Sequence, residues 1–97
     1  MEVLTFDYEA TSPVTQRSHV GVVGSGDLEV LIEPSPDQAA HVRVRTSVSG
    51  YAAVWKTVLD RFFAHFGGAA RIEINDFGAT PGMVMLRLEQ AAEGAGG

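Results

Sequence analysis

The residue best placed to do chemistry in this chain is Ser25, in the run Gly24-Ser25-Gly26-Asp27. A serine between two glycines has no neighbouring side chain to shield its hydroxyl, and both flanking peptides can take φ values closed to other residues. The expected result is an exposed hydroxyl on a tight turn, open to close approach by a large partner. The same run also reads as a plain surface β-turn, because Gly, Ser and Asp are ordinary turn residues. It does not read as a hydrolase elbow, which needs glycines two residues either side of the serine and a helix after it. Nor do Gly21, Gly24 and Gly26 suit a dinucleotide: their order is G-x-x-G-x-G and a strand follows. No phosphate-binding G-x-x-x-x-G-K-S/T occurs in the sequence.

Few other residues offer chemistry. The chain has no cysteine, which removes disulfides and thiolate metal ligands. Any thioester chemistry built on it therefore needs a thiol that the sequence does not encode. His19, His41 and His65 fall on separate elements with no spacing that suits a metal. Asp76 reads as a functional acid or as the side chain of an Asx turn. Asp27 either orients Ser25 or closes its turn. No recognised spacing joins a nucleophile, a base and an orienting group, so a self-contained enzyme is not expected.

Composition narrows the setting. With 97 residues, 45% of them apolar and 20% charged, the chain is the size and make-up of one ordinary soluble domain. Such a domain buries little more than about 60% of its unfolded-chain surface. The net charge of −5 argues against nucleic acid, which calls for a basic face. That charge also suffices to keep a small domain soluble. No apolar run reaches the ~18 residues of a membrane span, and Met1 to Asp7 lacks the layout of a signal peptide. A soluble cytoplasmic protein is the expectation.

The elements that must position Ser25 follow from hydrophobic period. Leu4, Phe6 and Tyr8 alternate with Val3, Thr5 and Asp7, as in a half-buried first strand. Ala10 to Thr15 reads as a polar, Pro-containing loop. Val20 and Val22 suggest a second strand ending at Gly24, and Leu28, Val30 and Ile32 one face of a third, stopped by Pro34-Ser35-Pro36-Asp37. Val42, Val44 and Thr46 oppose Arg43 and Arg45 in a fourth. Ser25 is thus placed on the turn between the second and third strands.

The period then changes. Val54, Trp55, Val58, Leu59, Phe62, Phe63 and Phe66 recur at three- and four-residue steps, with Lys56, Asp60 and Arg61 opposite, as in an amphipathic helix. Ser49 is placed to be its N-cap and Gly67-Gly68 to stop it. Ile72 and Ile74 mark a fifth strand, Asn75 to Gly82 a turn-rich connection, and Val84, Leu86 and Leu88 a sixth strand, with Leu88 to Ala92 able to turn helical. The pattern predicts an α+β fold: a mostly antiparallel sheet of about five or six strands, with one long amphipathic helix packed on one face. Residues 1–92 are expected to form a single domain and 93–97 a flexible tail.

Two windows carry a family resemblance. The first is Val22-Val23-Gly24-Ser25-Gly26-Asp27 with the strand behind it; the second is Asn75-Asp76-Phe77-Gly78-Ala79-Thr80-Pro81-Gly82 followed by Leu86-Arg87-Leu88-Glu89. Both resemble the acyl carrier (delta) subunit family of malonate decarboxylase and, more distantly, the acyl carrier subunit of citrate lyase. Phe77 and Thr80-Pro81-Gly82 follow the malonate pattern.

The resemblance implies that Ser25 carries a phosphoribosyl-dephospho-coenzyme A arm through a phosphodiester. It also implies that acetyl and malonyl groups ride as thioesters on the terminal thiol of that arm. Partners would be the acyl transferase subunit, the decarboxylase subunits and the enzymes that load the arm, with no nucleic acid and no membrane. On that footing residues 1–92 are an acyl-carrier domain that performs no bond chemistry. A carrier of the citrate lyase type, and a small non-covalent binding or regulatory module in which the Ser25 turn is only a turn, are the alternatives.

Overall fold

Alternating side chains lay down five long or medium strands whose apolar faces share one core. The computed structural model describes residues 1–96. In chain order these form β1 (Glu2–Glu9), β2 (Ser12–Pro13), β3 (Ser18–Gly21), β4 (Leu28–Pro34) and β5 (Ala39–Thr46). Helix α1 (Ala52–Phe63), β6 (Gly68–Asp76) and helix α2 (Pro81–Gly94) follow. The sheet order is β1-β5-β6-β4-β3, with the short β2 pairing separately with the start of β6. Leu4 lies opposite Val44 and Phe6 opposite Val42; Val42 lies beside Ile72 and Val44 beside Ile74; Ile32 and Val30 complete these rows from β4. Each row runs across four strands, so a one-residue slip in any of them would turn apolar side chains to water.

Both helices close the same core. Trp55, Val58, Leu59 and Phe62 of α1 and Val84, Leu88, Ala91 and Ala92 of α2 join the inward residues of β4, β5 and β6 in one buried cluster. Phe62 stacks on Phe66, with ring centroids 5.0 Å apart, and meets Phe63 edge-on at 5.1 Å. Tyr8 stacks on Phe63 at 4.1 Å, and its hydroxyl donates to Asp60 Oδ1 at 2.7 Å. Burial, and then that carboxylate acceptor, pushes the Tyr8 phenol well above its ordinary range. The other face of the sheet, with exposed Arg43, Arg45 and Arg71, is left to solvent. No helix among the described residues is long and apolar enough to cross a membrane.

The α+β class stands, and two of its expected details do not. The sheet is mixed rather than mostly antiparallel: β1·β5, β3·β4 and β4·β6 are antiparallel, whereas β5·β6 and β2·β6 are parallel. The cause is α1, which returns the chain across the sheet so that β6 runs beside β5 in the same direction, as a helical crossover does. There are also two helices rather than one long one. Val84 to Leu88, expected as a sixth strand, lies in α2, where Val84, Leu88, Ala91 and Ala92 form a stripe at helical spacing and Leu86 is 48% exposed.

The caps differ too. Tyr51, not Ser49, occupies the N-cap position of α1 and caps nothing with its side chain; the helix ends at Ala64, before Gly67-Gly68. Thr80 caps α2 by accepting from the Met83 N–H at 3.2 Å, and Pro81 opens it. The expected loop at Ala10 to Thr15 contributes the β2 pairing with β6. Of the tail expected at 93–97, Glu93 and Gly94 end α2 and Ala95 is wholly buried; Gly97 lies outside the described residues.

Candidate functional site

The Ser25 turn joins β3 to β4, as its glycines suggest. Asp27 N–H donates to the Gly24 carbonyl at 3.1 Å, closing a four-residue turn. Gly26 takes φ +76°, the left-handed value that a type II turn demands at its third residue, while no described residue other than glycine has a positive φ. Ser25 itself is exposed. A Cβ built on Gly24 or on Gly26 would meet nothing within 4 Å, so space on both sides of the serine is open. Among the described residues Ser25 Oγ makes no hydrogen bond, which leaves the hydroxyl free to react. Val22 and Val23, 59% and 62% exposed, extend an apolar approach beside it.

Behind the turn the backbone is tied down. Gly26 N–H donates to the Phe77 carbonyl at 2.8 Å, and Phe77 N–H donates to the Asp27 carbonyl at 2.9 Å. These bonds set two residues, Gly26 and Asp27, against the single residue Phe77 just past the Leu28–Asp76 end of the β4·β6 pairing, the arrangement of a glycine bulge. The two windows singled out in the sequence, about fifty positions apart, therefore touch through their main chains. The Asn75 to Gly82 connection is itself fixed: Asp76 Oδ1 accepts from Ala79 N–H at 2.9 Å and Oδ2 accepts from the Thr46 hydroxyl at 2.8 Å. Asp76 is thus the side chain of a turn, buried at 5% exposure. Gly78 supplies the left-handed φ of +95° that lets the chain reverse into α2.

Asp27 faces the protein rather than the serine. Its Oδ1 accepts from Leu28 N–H at 2.7 Å, and Arg87 of α2 donates through Nε to Oδ1 at 3.4 Å and through Nη2 to Oδ2 at 3.2 Å. The Arg87 guanidinium, and then the Leu28 N–H, hold the Asp27 carboxyl below the usual carboxylate range. Both side chains are about one quarter exposed or less. Of the two roles open to Asp27, the geometry favours closing the turn and clamping it to α2. Arg87 is the site residue that sequence reasoning did not assign: it stands sixty positions from Asp27, and no local pattern links the two.

The remaining candidates lie elsewhere. His19 pairs with Glu29 at 3.0 Å and His41 with Asp7 at 2.7 Å and Asp37 at 2.9 Å, on the open sheet face, while His65 follows α1. Among the described residues no three His, Cys, Asp or Glu side chains gather as a metal site.

Residues 15–95 match the family model of the malonate decarboxylase delta subunit (MdcD). A malonate decarboxylase acyl carrier protein of Azotobacter vinelandii is 52% identical over 94 residues, covering 96% of this chain and 95% of that one. One of Pseudomonas aeruginosa is 53% identical over 97 residues, covering 99% and 98%. A chain in the crystal structure of a Pseudomonas malonate decarboxylase hetero-tetramer in complex with malonate superposes with a TM-score of 0.93 at 48% identity, over 98% of this chain and 99% of that one. Matches of this extent, from sequence and structure alike, show that the chain belongs to the malonate decarboxylase acyl carrier (delta subunit) family.

Proposed function

We propose that this chain is the non-catalytic carrier subunit of a malonate decarboxylase complex, and that Ser25 is the attachment point of a phosphoribosyl-dephospho-coenzyme A arm, joined by a phosphodiester to its Oγ. When attached, the arm supplies the terminal thiol on which acetyl and malonyl groups are held as thioesters. The residues present fit such a group. Ser25 offers an oxygen with no competing partner, its glycine neighbours leave room for a loading enzyme, and the sequence has no thiol of its own.

The chain's own part is presentation. Phe77 fixes the turn from behind, and the Asp27–Arg87 pair fixes it from the side, so the attachment oxygen keeps one position while whatever it bears sweeps around it. Tethering replaces free diffusion by a high effective concentration at each partner site. Acyl exchange and decarboxylation belong to the partner subunits in this reading, and the loading enzymes form a further set of partners. The reading places the chain in the cytoplasm, where a terminal thiol stays reduced.

The observation that carries the proposal is the exposed, unpartnered Ser25 hydroxyl on a glycine-flanked turn whose backbone is anchored. Ser25→Ala removes that oxygen from a surface turn, so stability should move by less than about 0.5 kcal/mol. Malonate turnover by the reconstituted complex should vanish. Co-expression with the loading enzymes, then intact-mass and peptide mapping, should place one adduct on Ser25 in the parent and none in the variant. An adduct on another serine, or turnover by the alanine variant, would refute the assignment. A bare chain even beside active loading enzymes would favour a non-covalent binding module instead.

A further inference from the structure

A cleft opens beside the rim that supports the Ser25 turn. Its volume is about 410 Å³, within the ~300–1,000 Å³ typical of small-molecule sites. Tyr51 and Trp55 of the α1 end, with Pro81 and Val84 of α2, form its apolar walls; Thr46 and Asp76 form its polar floor. The rim is short of protein cover, since Tyr51 is 52% exposed. The cleft also begins where the Ser25 turn is pinned: Gly26 is bonded to Phe77, and the next residue, Gly78, already lines the cleft. At about 3.8 Å per residue, the attachment point stands within a few residues' length of the opening.

The charge of the lining is one-sided. It contains no Lys, Arg or His, and its one carboxylate is that of Asp76, whose oxygens are already taken by the Thr46 hydroxyl and the Ala79 N–H. A neutral, partly apolar group can enter and exclude water at little cost. A group with its own carboxylate would be brought toward Asp76 with no cation to offset it, and burying an unpaired charge is expensive.

We propose that this cleft is a resting site for the acylated end of the chain's own arm, and that it accepts the acetyl thioester and rejects the malonyl thioester. The inference rests on the Ser25 attachment proposed above. The acetyl form, which has to wait for exchange, is shielded from water against Trp55. The malonyl form stays out and free to reach a decarboxylating partner. Asp76 thereby acts as the residue that tells the two cargoes apart, by charge alone.

Trp55 is the only tryptophan of the chain and lines the cleft, so it reports occupancy directly. The holo protein is prepared with the arm on Ser25, verified by peptide mapping, and charged with acetyl or with malonyl. Trp55 fluorescence and its indole N–H resonance are compared with those of the apo chain, and thioester cleavage by hydroxylamine is compared with that of acetyl- and malonyl-coenzyme A in solution. The acetyl form should shift the Trp55 signals and resist hydroxylamine several-fold; the malonyl form should do neither. Asp76→Asn should let the malonyl form shift Trp55 as well. Should circular dichroism show that variant unfolded, Val54→Lys, at an exposed position on the rim, tests the same charge rule and should also admit malonyl. An adduct on Ser25 with unshifted Trp55 and no protection in the acetyl form overturns this inference alone, as does equal protection of both cargoes. An adduct elsewhere overturns the attachment reading and this one with it.

Discussion

Replacing Asp76 with alanine probes the support under the Ser25 turn. The carboxylate is buried, and it accepts from the Thr46 hydroxyl at 2.8 Å and from the Ala79 N–H at 2.9 Å. Alanine removes both acceptors. The Thr46 hydroxyl is not orphaned, because the Val48 carbonyl lies 3.3 Å away. Ala79 N–H has no second acceptor among the described residues. A hydrogen bond to a charged group contributes about 1.5–3 kcal/mol, and a donor left unpaired costs about 1–3 kcal/mol when buried. Ala79 is only half-buried, which puts its share at the low end. The expected loss is therefore about 3–4 kcal/mol, a large fraction of the ~5–15 kcal/mol of a typical domain.

Asp76→Asn should cost much less, about 1 kcal/mol, since the amide oxygen still accepts from Ala79 and the Thr46 hydroxyl can turn to Val48. Urea unfolding at constant m separates the two variants. Because Phe77 follows Asp76 and holds both Gly26 and Asp27, the alanine variant should also load the arm on Ser25 more slowly. An alanine variant within about 1 kcal/mol of the parent, or an asparagine variant as unstable as alanine, would refute the reasoning.

The other expectations are briefer. Phe62 is 5% exposed and sits between Phe63 and Phe66, so Phe62→Ala should cost about 3–5 kcal/mol; a loss under about 1 kcal/mol would make that face a surface rather than core. Arg87→Gln should leave the fold intact, return the Asp27 carboxyl toward its usual range in an NMR titration, and slow loading at Ser25. Loading at the parental rate in a variant whose Asp27 has shifted would deny Arg87 its positioning role. Asp7 first, and then Asp37, raise the His41 pKa above its ordinary value. His41 therefore favours the fold fully below the unfolded-state pKa and loses that contribution as pH rises through the folded-state pKa, so His41→Gln should flatten stability against pH across neutrality. An imidazole titrating at or below its ordinary value would contradict the ion-pair geometry.

Much of this molecule is legible in the sequence wherever the period is strong. Leu28, Val30 and Ile32, or Val42 and Val44, alternate cleanly because one sheet face is covered and the other is wet. The α1 stripe is legible because large aromatics mark its buried face. The α2 stripe is not: half of its buried residues, Ala91 and Ala92, are alanines, and Val84, Leu86 and Leu88 alternate by accident. Thr80-Pro81 was the available sign of a helix start, and it outweighs three alternating apolar residues. Direction in the sheet is hidden as well, because it depends on where α1 returns the chain. The exposed turn that carries Ser25 is readable from residue type and neighbours alone. Its supports are not, since the Asp27–Arg87 and Thr46–Asp76 pairs exist only once distant elements have met.

The way those supports converge explains why a small carrier has a sheet at all. A tethered cargo must be mobile at its far end, but every partner must find the attachment oxygen in one place. With the attachment proposed above, Ser25 meets both needs: its side chain is free, while its neighbours Gly26 and Asp27 are bonded to Phe77 just past the end of β6. Strand β6 is the best anchor available, being paired on both sides by β4 and β5 and buried along its inward face. The connection leaving β6 carries the contact to the turn, and α2, which it opens, returns Arg87 to Asp27. Phe77 thus holds the turn from just past β6, and Arg87 holds it from α2, two elements that also build the core. The loop itself can stay small and glycine-rich, because its position is set by its neighbours rather than by its own side chains.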